Sequence, residues 1–450
     1  MLIPYFLYNR VFVPENEETM KKTVNVGLIG FGTVGTGVVK LFNHNGSLID
    51  KKAGLNVRLK KIVDLDIKRD RGVNIDKYML SAKAEDILND PEIDIVIELM
   101  GGYKPAIDFI SVALKNKKHV VTANKKMVSK YWEAIWPLAK KNSVEFMLEA
   151  SVAGGIPVIK GLREGLSGNR IQKIMGILNG TCNYILTNMT LNKMTFADAL
   201  AGAQAKGFAE ADPTMDIEGF DTMHKAVILS SMAFGQRVKE EDVHVEGIKG
   251  IDYQDIKAGD EEFGYVMKLL AIAEHSKNGI NVRVHPAFVS KAHLLASVNY
   301  EFNAVHMTGD AVGDVMFYGR GAGELPTASA VIADVIDIAK IIADGAGGKR
   351  YENISSDGAA LVKMGEIESK YYMRFNVMDK AGVLAEIAGI LGKHEISIKS
   401  VIQKERASHK EVPVVIMSYE AKEANVMKAL KKIDALSEVK QKTVYYRVVE

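Results

Sequence analysis

The 450-residue sequence has only one cysteine, two tryptophans and a formal net charge of +2. The single cysteine, Cys182, cannot form an intrachain disulfide, so burial alone must hold the fold together, as is typical of a reducing compartment. We therefore expect a cytoplasmic protein. Because 58 Lys and Arg residues balance 56 Asp and Glu residues, a polycation dedicated to nucleic-acid binding is disfavoured.

Long apolar runs are also absent. No run approaches the roughly 18 residues that a membrane-spanning helix needs, so no membrane partner is expected. The first 20 residues lack a basic n-region, and Pro4, Asn9 and Arg10 interrupt their apolar part, which makes them a poor secretory signal. We interpret residues 1–20 as an N-terminal extension. The change in sequence character at Met20 favours Met20 over Met1 as the natural start.

At roughly 150 residues per domain, the length predicts about three domains. From Val24 onward, short runs rich in Val and Ile alternate with segments of helix length, as in VNVGLIG, VRLKKIV, IDIVIEL, HVVTAN and VEFMLEA. This alternation predicts an α/β fold with a parallel, doubly wound Rossmann-type sheet over residues 21–150. Residues 151–325 have a different, mixed pattern and form a predicted α+β domain. An apolar helix at 326–343 is expected to return to the first domain.

A glycine-rich stretch opens a predicted linker over residues 344–369. Residues 370–450 then follow the order strand, helix, strand, strand, helix, strand. This βαββαβ order describes a ferredoxin-like unit. The unit is large enough to have its own core, but its edge strands would need a partner or a cover.

The motif GFGTVG directly follows the first predicted strand and opens a helix; it comprises Gly30, Phe31, Gly32, Thr33, Val34 and Gly35. In a dinucleotide-binding loop the first glycine permits a tight turn and the second lets the main chain approach the pyrophosphate. The third allows close packing of the helix, whose N-terminus faces the negative charge. A glycine-rich turn without a ligand is the less favoured alternative.

An acidic residue that binds the adenosine ribose is expected about 20 positions after such a loop. Here the second strand ends at Asp64, beyond an apparent insertion at 43–56, so the spacing departs from the usual one. Asp64 would accept a hydrogen bond from the ribose 2′-hydroxyl of NAD, whereas Lys68, Arg69 and Arg71 could pair with the 2′-phosphate of NADP. A solvated turn explains the basic residues at least as well, so the cofactor remains either NADP or NAD.

Two segments carry candidate catalytic residues. Lys125 follows a strand at the carboxyl edge of the predicted sheet, where open α/β folds bind ligands, although it could equally be a surface lysine. Asp221 and Lys225 lie four residues apart and share one face of a predicted helix. The same face continues through apolar residues, which favours a cleft over an exposed ion pair contributing about 0.3 to 0.5 kcal/mol.

The sequence offers no zinc site of the usual kind, because it has one cysteine, ten scattered histidines and no HExxH motif. A hard cation held by main-chain carbonyls and one carboxylate would leave less trace in the sequence. The turn that follows Glu149 could supply such oxygens.

Taken together, these segments resemble the monofunctional bacterial homoserine dehydrogenases that carry a C-terminal ACT domain. The resemblance extends from Met20 to the end of the chain, through GFGTVG, TANK (122–125), EASVAGGIP (149–157), GILNGTCNYIL (176–186), residues 207–225 and YGRGAGELPTASAV (318–331). It implies NAD(P)-dependent interconversion of L-homoserine and L-aspartate 4-semialdehyde in threonine, methionine and isoleucine biosynthesis. It also implies that residues 151–325 form the substrate-binding and dimerisation domain, referred to below as the second or substrate-binding region, and that the protein is a homo-oligomer, either a dimer or a tetramer.

The resemblance implies a role for individual residues. Lys225 would transfer the proton, Lys125 would lie beside the substrate and the nicotinamide, and Glu210 and Asp221 would bind the substrate. Cofactor contacts are implied at Gly32, Thr33, Val34, Gly207 and Gly323. A sodium site is implied at Glu149 with the main-chain oxygens of Val152, Gly154 and Ile156.

In the C-terminal unit the resemblance implies an amino-acid site at the loop that contains Asp379 and Gly382. L-Threonine is the natural candidate for a feedback ligand, and a purely dimerising domain is the alternative. Another ACT-linked dehydrogenase, or an amino-acid sensor without turnover, would share this fold. The combined presence of Lys125, Glu210, Asp221 and Lys225 argues against both.

Overall fold

The computed structural model describes residues 21–345, 354, 358–403 and 411–450. The predicted N-terminal extension, 1–20, lies outside the described residues, as do residues 346–353 and 355–357 of the predicted linker. In the described part of the chain, no helix combines the length and the apolar character needed to cross a membrane.

The N-terminal region is a six-stranded parallel sheet in the order β3-β2-β1-β4-β5-β6. Its strands are β1 (Thr23–Ile29), β2 (Asn56–Val63), β3 (Leu80–Ser81), β4 (Ile95–Glu98), β5 (His119–Thr122) and β6 (Phe146–Met147). Its helices are α1 (Thr33–Ala53), α2 (Glu85–Leu88), α3 (Ala106–Lys115) and α4 (Lys125–Asn142). This strand order is that of the dinucleotide-binding fold, which confirms the predicted Rossmann-type sheet.

The first helix is longer than the helix near Thr36 to Asn43 that the sequence pattern predicts. Most of the apparent insertion at 43–56 is helical, because α1 continues without a break to Ala53. The helix ends at Gly54, whose φ of 77° is the left-handed conformation that terminates many helices. The unusual spacing between the glycine-rich loop and Asp64 therefore comes from extra helical turns.

The apolar helix α11 (Glu324–Ala343) packs on the nucleotide-binding sheet although it follows the second region in sequence. It lies so close to α1 that a Cβ on Gly37 would be 2.6 Å from the Glu324 carbonyl oxygen. Its buried Val331, Val335 and Ile338 join the core of the first sheet. This helix thus ties the end of the second region to the beginning of the chain.

The second region contains β7 (Ile171–Ile177), β8 (His244–Val245), β9 (Tyr265–Ser276), β10 (Gly279–Ser290), β11 (Phe302–Gly309) and β12 (Gly313–Arg320). Its helices are α5 (Val158–Lys160), α6 (Gly180–Leu191), α7 (Phe196–Ala205), α8 (Thr214–Ile217), α9 (Phe220–Phe234) and α10 (Tyr253–Phe263). The main strands pair antiparallel in the order β12-β11-β7-β9-β10, and α9 packs against β9 and β10.

The C-terminal region has the predicted βαββαβ order and the antiparallel strand order β17-β13-β15-β14. Its elements are β13 (Glu368–Met378), α12 (Val383–Lys393), β14 (Ile398–Gln403), β15 (Glu411–Ser418), β16 (Ala421–Lys422), α13 (Glu423–Ile433) and β17 (Val444–Val449). Its edge strand β17 pairs in parallel with β10, from Ala287 with Arg447 to Val289 with Val449. The second and third regions therefore share one continuous sheet, which covers one of the predicted exposed edges.

The described end of the predicted linker also belongs to this sheet. The main-chain N–H of Ile280 donates to the oxygen of Ala360 at 2.8 Å, and that of Val362 donates back to Ile280 at 2.7 Å. The Gln236 side chain donates to the oxygen of Ala359 at 2.7 Å. Residues 359–362 are therefore hydrogen-bonded to the second region and do not form an unattached linker.

Candidate active site

The glycine-rich loop between β1 and α1 has no room for side chains at its first and third glycines. A Cβ on Gly30, whose φ is 99°, would lie 2.6 Å from the carbonyl carbon of Leu99. A Cβ on Gly35 would lie 2.2 Å from the Gly30 oxygen. Among the described residues, no atom comes within 4 Å of a Cβ on Gly32, which caps α1. The loop is thus tight, with open space at Gly32 for a pyrophosphate.

Asp64 lies beside this loop, as the dinucleotide-binding interpretation requires. Its Oδ2 accepts the main-chain N–H of Phe31 at 2.7 Å, and its Oδ1 lies 3.2 Å from Nη2 of Arg71. The Arg71 guanidinium also stacks on the buried Phe31 ring, 4.5 Å from its centroid. Arg71 is therefore ordered against the loop and does not belong to a solvated turn, whereas Lys68 and Arg69 are exposed.

A groove of about 490 Å³ runs from this pair along the ends of the parallel strands; its lining includes Gly30, Gly32, Asp64, Leu65, Met100 and Gly101. The fully buried Glu98 at the end of β4 holds the main chain of two residues that line this groove. One Glu98 oxygen accepts the N–H groups of Met100 and Gly101 at 2.9 and 3.3 Å, and the other accepts the Thr122 hydroxyl at 2.7 Å. Burial raises the pKa of the Glu98 carboxyl above its usual value.

The three best catalytic candidates meet where α4 of the first region contacts α9 of the second region. Lys125 is the first residue of α4, and its Nζ lies 3.1 Å from Asp221 Oδ1. The Lys225 Nζ, one turn beyond Asp221 on α9, lies 2.6 Å from Asp221 Oδ2 and donates to the Leu178 oxygen at 2.6 Å. Asp221 and Lys225 are buried, so the exposed ion pair considered from the sequence is wrong.

Two further polar residues complete this centre. Asn179, which caps α6, donates from its Nδ2 to Asp221 Oδ2 at 2.9 Å and to Asp216 Oδ1 at 2.7 Å. Burial, followed by the charge of Asp221, raises the pKa of Asp216. Burial opposes ionisation of Asp221 as well, but the ammonium groups of Lys225 and Lys125 hold its pKa well below the usual range. The Asp221 charge in turn raises the pKa of Lys125.

Glu210, the second predicted substrate ligand, lies at the rim of the centre. Its side chain is exposed, and among the described residues no hydrogen bond links its carboxylate to Lys125 or Lys225. Its charge still contributes to the raised pKa of Lys125. The structure thus brings Glu210 near the lysines without direct contact.

The remaining predicted cofactor contacts lie at three places: in the first turn of α1, at the start of α11, and after α7. The last of these precedes α9, the helix that carries Asp221 and Lys225 and is called the catalytic helix below. Thr33 and Val34 form the first turn of α1, where main-chain N–H groups are available to an anionic ligand. Gly323, with a φ of 128°, caps α11 beside α1. Gly207, with a φ of 73°, is exposed after α7.

A buried polar cluster connects the two helices that carry the catalytic candidates. The Ser129 hydroxyl on α4 donates to Oε1 of Glu240 at 2.6 Å and lies 3.0 Å from Nδ1 of His224 on α9. The same Glu240 oxygen lies 3.1 Å from His224 Nδ1. Ser129 is one turn beyond Lys125, and His224 precedes Lys225. The cluster therefore links the positions of the two lysines.

The predicted cation site has a buried carboxylate at its centre. The Glu149 oxygens accept the main-chain N–H groups of Ile159 and Lys160 at 2.9 and 2.7 Å, and the Glu149 N–H donates to Asp334 Oδ2 at 2.9 Å. Burial and the neighbouring Asp334 raise the pKa of Glu149 to about 7. A cation beside this carboxylate would relieve its unfavourable ionisation.

Val152, Gly154 and Ile156 form the turn next to Glu149. Gly154 has a φ of 55°, and a Cβ there would lie 2.4 Å from the Gly321 oxygen, so this turn packs tightly on the loop before α11. Across the described residues, no group of three or more acidic, histidine or cysteine side chains could hold a metal. A donor set of one carboxylate and main-chain carbonyl oxygens, as the prediction has it, would suit a hard cation and not a transition metal.

The predicted regulatory residues lie far along the chain, in the loop between β13 and α12. Asp379 is exposed, and Gly382 caps α12 with a φ of 95°.

Sequence reasoning did not assign Asn179, Asp216 or Glu98. Asn179 and Asp216 lie inside motifs that had been recognised as blocks, and their positions at the start of α6 and in α8 are the signal that could have found them. Glu98 looked like the last residue of an apolar strand. Only the fold shows that its carboxylate organises two loops.

Three family models match the chain in order. The model described as homoserine dehydrogenase, NAD binding domain, matches residues 30–149, the one described as homoserine dehydrogenase matches 157–336, and the ACT domain matches 371–438. The three matches follow the three regions of the fold.

Whole-length relatives agree with the family models. The chain is 41% identical over 433 residues to a homoserine dehydrogenase of Neisseria gonorrhoeae, which covers 95% of this chain and 99% of the relative. For a homoserine dehydrogenase of Bacillus subtilis the identity is 38% over 428 residues, with 95% and 98% covered. The crystal structure of a homoserine dehydrogenase from Thiobacillus denitrificans superposes with a TM-score of 0.89 at 40% identity, covering 95% of this chain and 99% of that one. The chain therefore belongs to the homoserine dehydrogenases, NAD(P)-dependent oxidoreductases, and carries a C-terminal ACT domain.

Proposed function

We propose that this enzyme interconverts L-homoserine and L-aspartate 4-semialdehyde at the Lys125, Asp221 and Lys225 centre. The observation that supports this most directly is one buried carboxylate held between two ammonium groups, at 3.1 and 2.6 Å. An amino acid with a reacting hydroxyl needs both a carboxylate for its ammonium and a group that exchanges its hydroxyl proton. The physiological setting we propose is threonine, methionine and isoleucine biosynthesis.

Lys225 is the proposed proton-transfer residue. When bound, the nicotinamide supplies the hydride acceptor or donor. In the oxidation of homoserine, Lys225 Nζ takes the hydroxyl proton; in the reverse direction its ammonium protonates the forming alkoxide. The carboxylates of Asp221 and Glu210 bind the substrate ammonium. Lys125, whose side chain is 34% exposed, offers its ammonium to a substrate oxygen.

For the cofactor we propose that both NAD and NADP are accepted at Asp64 and Arg71. Asp64 can accept from a 2′-hydroxyl, and the guanidinium beside it reduces the repulsion that its carboxylate would exert on a 2′-phosphate. Arg71→Ala should weaken NADP binding more than NAD binding. Equal losses for the two cofactors would contradict this role of Arg71.

We also propose that a monovalent cation such as sodium binds at Glu149 with the main-chain oxygens of Val152, Gly154 and Ile156. The raised pKa of the Glu149 carboxyl and the oxygen-only donor set support the proposal. This cation would stabilise the turn between the nucleotide-binding region and the substrate-binding region and would take no part in proton or hydride transfer.

Feedback inhibition by L-threonine through the Asp379 and Gly382 loop is a further proposal. Asp379 and Gly382 are both exposed in the loop before α12, as residues that contact an amino-acid ligand would need to be. We also propose a homo-oligomer, either a dimer or a tetramer. The reason is that β14 is the last strand of the described sheet, so its outer edge is a place where a second copy of the chain can pair.

One initial-rate experiment tests the proposed reaction, the choice of cofactor and the threonine feedback together. The purified full chain is assayed with L-homoserine and either NAD or NADP, with and without L-threonine. We expect reduction of both cofactors and inhibition by threonine. No activity with either cofactor would refute the catalytic proposal, and activity without threonine inhibition would leave the C-terminal domain with a purely structural role.

A further inference from the structure

The last strand of the chain carries a buried arginine that reaches out of its own domain. Arg447 on β17 is 2% exposed. Its Nη1 and Nη2 lie 3.0 and 2.9 Å from the two carboxylate oxygens of Glu246, and its Nε and Nη2 lie 2.9 and 2.5 Å from those of Glu423 on α13. Such paired contacts are planar and directional, so Arg447 orients the Glu246 carboxylate.

Glu246 belongs to the substrate-binding region, directly after β8. Its Oε1 also lies 2.6 Å from His244 Nε2, and its main-chain N–H donates to the Val284 oxygen at 2.7 Å. Burial opposes ionisation of this carboxyl, but His244 and Arg447 hold its pKa well below the usual range. Glu246 is therefore a charged residue that is held by both its side chain and its main chain.

The next residue touches the segment that leads into the catalytic helix. A Cβ on Gly247 would lie 2.2 Å from the Ile217 oxygen and 2.5 Å from the Glu218 Cα, so the two chain segments are in direct main-chain contact. The N–H of Ile248 donates to the same Ile217 oxygen at 2.7 Å. Residues 246–248 thus form a strap across residues 217–218.

The strap also reaches the residue at which the catalytic helix begins. Gly219 caps α9 with a φ of 85°, and a Cβ there would lie 3.2 Å from the Val245 side chain and 3.3 Å from the Glu246 oxygen. Asp221 and Lys225 follow within the first two turns of α9. A continuous series of contacts therefore runs from Arg447 to the proposed catalytic centre.

We propose that Glu246 and Arg447 are positioning residues for the reaction at Asp221 and Lys225. Their ion pair holds the strap against the start of α9, and the strap fixes the helix relative to Lys125 across the cleft. The glycine-rich loop and Asp64, which carry most of the predicted cofactor contacts, belong to the first sheet, and this series of contacts does not include them. The inference rests on the proposed roles of Asp221 and Lys225, but not on any effect of threonine.

A second buried ion pair provides a matched control. Arg374 on β13 contacts Asp255 on α10 through Nε at 2.5 Å and Nη2 at 2.9 Å, and both side chains are buried. This pair also joins the C-terminal region to the substrate-binding region. It leads to α10, which carries none of the proposed catalytic or substrate-binding residues.

The test compares Glu246→Gln and Arg447→Lys with Asp255→Asn and Arg374→Lys in the full-length protein. For the first two variants we expect kcat/KM for homoserine to fall on the order of 10-fold to 100-fold, because small displacements of catalytic groups have effects of this size. The KM for NAD(P) should stay close to that of the wild type. The control variants should keep wild-type kcat/KM for homoserine, even if their thermal stability falls equally.

Gly247→Ala tests the strap without changing either charge. It should produce the same selective loss of kcat/KM for homoserine, because its methyl group would displace the main chain at Ile217. This variant decides the question if Glu246→Gln does not fold. Wild-type kinetics in Glu246→Gln or Gly247→Ala, or an equal loss in the Asp255→Asn control, would overturn the proposal. Failure of the wild type to oxidise homoserine would instead refute the proposed function.

Discussion

The substrate-binding region meets the nucleotide-binding region through side chains, whereas it meets the C-terminal region through a shared sheet. At the first interface Lys125 contacts Asp221, and Ser129 contacts His224. Lys160, which follows the predicted cation turn, lies 2.6 Å from Asp337 and 3.6 Å from Asp334 on α11. Carboxylates, amines, a hydroxyl and an imidazole make the polar contacts of this interface, beside apolar residues of α4 and α9 that share one core.

At the second interface, β10 and β17 pair through their main chains, and Arg447 and Arg374 each bridge to a carboxylate in the substrate-binding region. Guanidinium groups keep their charge at any physiological pH. At the first interface, by contrast, burial lowers the pKa of His224, and burial raises the pKa of Asp334 to about 6. The carboxyl groups whose pKa values are raised to about 6 and about 7, those of Asp334 and Glu149, therefore belong to the first interface.

The largest effect that we predict is at the first interface. Lys225→Ala should lower kcat by roughly 10²-fold to 10⁴-fold, the usual contribution of a positioned acid or base. Binding of NAD(P), measured by fluorescence titration, should change little, because the glycine-rich loop lies between β1 and α1, whereas Lys225 is on α9 of the substrate-binding region. The control is Lys249→Ala, which removes an exposed lysine 3.7 Å from Glu218. Near-normal turnover in Lys225→Ala would refute its role.

The next effect concerns stability at the second interface. Arg374→Ala leaves the carboxylate of Asp255 buried without its guanidinium, and breaking a buried pair in this way typically costs about 3 to 5 kcal/mol. Chemical denaturation should show this loss of unfolding free energy. The double variant Asp255→Leu/Arg374→Met should recover much of it, since two apolar side chains leave no buried charge. If the single variant lost no stability, the charged pair would not be the feature that secures this interface.

The sheet topology explains how far sequence reasoning could go. The Rossmann-type sheet and the βαββαβ order were predictable because each strand and helix carries its own local pattern, and Gly30 and Lys125 stand at strand ends where such folds bind ligands. The pairing of β17 with β10 was not predictable, because an edge strand has the same pattern whichever strand covers it. Glu246 and Arg447 lie 201 residues apart, and only this pairing brings them together.

The candidate site also combines features that local sequence predicts with features that depend on long-range packing. Asp221 and Lys225 could be assigned to one helix face from their spacing alone. The contact between Lys125 and Asp221 depends instead on how two separate sheets meet, and the role of Arg71 depends on its stacking with Phe31. Charged residues in turns have the same sequence signature whether they are solvated or ordered, which is why the basic residues after Asp64 were left open.

The smallest effect that we predict concerns the proposed cation at the first interface. The folded-state pKa of Glu149, about 7, is above its usual value, so the folded protein holds this proton more tightly than the unfolded chain does. The contribution of Glu149 to stability is therefore present at low pH and declines as the pH rises through 7. Sodium bound to the carboxylate would favour the ionised form. Added sodium should then stabilise the protein more at pH 8 than at pH 5.

The measurement is the thermal midpoint in sodium chloride and in tetramethylammonium chloride at equal ionic strength. At a sodium concentration ten times its Kd, the gain should be about 1.4 kcal/mol. Glu149→Gln should abolish this sodium-specific gain, because the neutral amide offers the cation no charge. Asp334→Asn keeps the Glu149 carboxylate, so a gain should persist there. An equal sodium effect in wild type and Glu149→Gln would contradict sodium binding at Glu149. The pH dependence of stability at this interface would then come from the side chains alone.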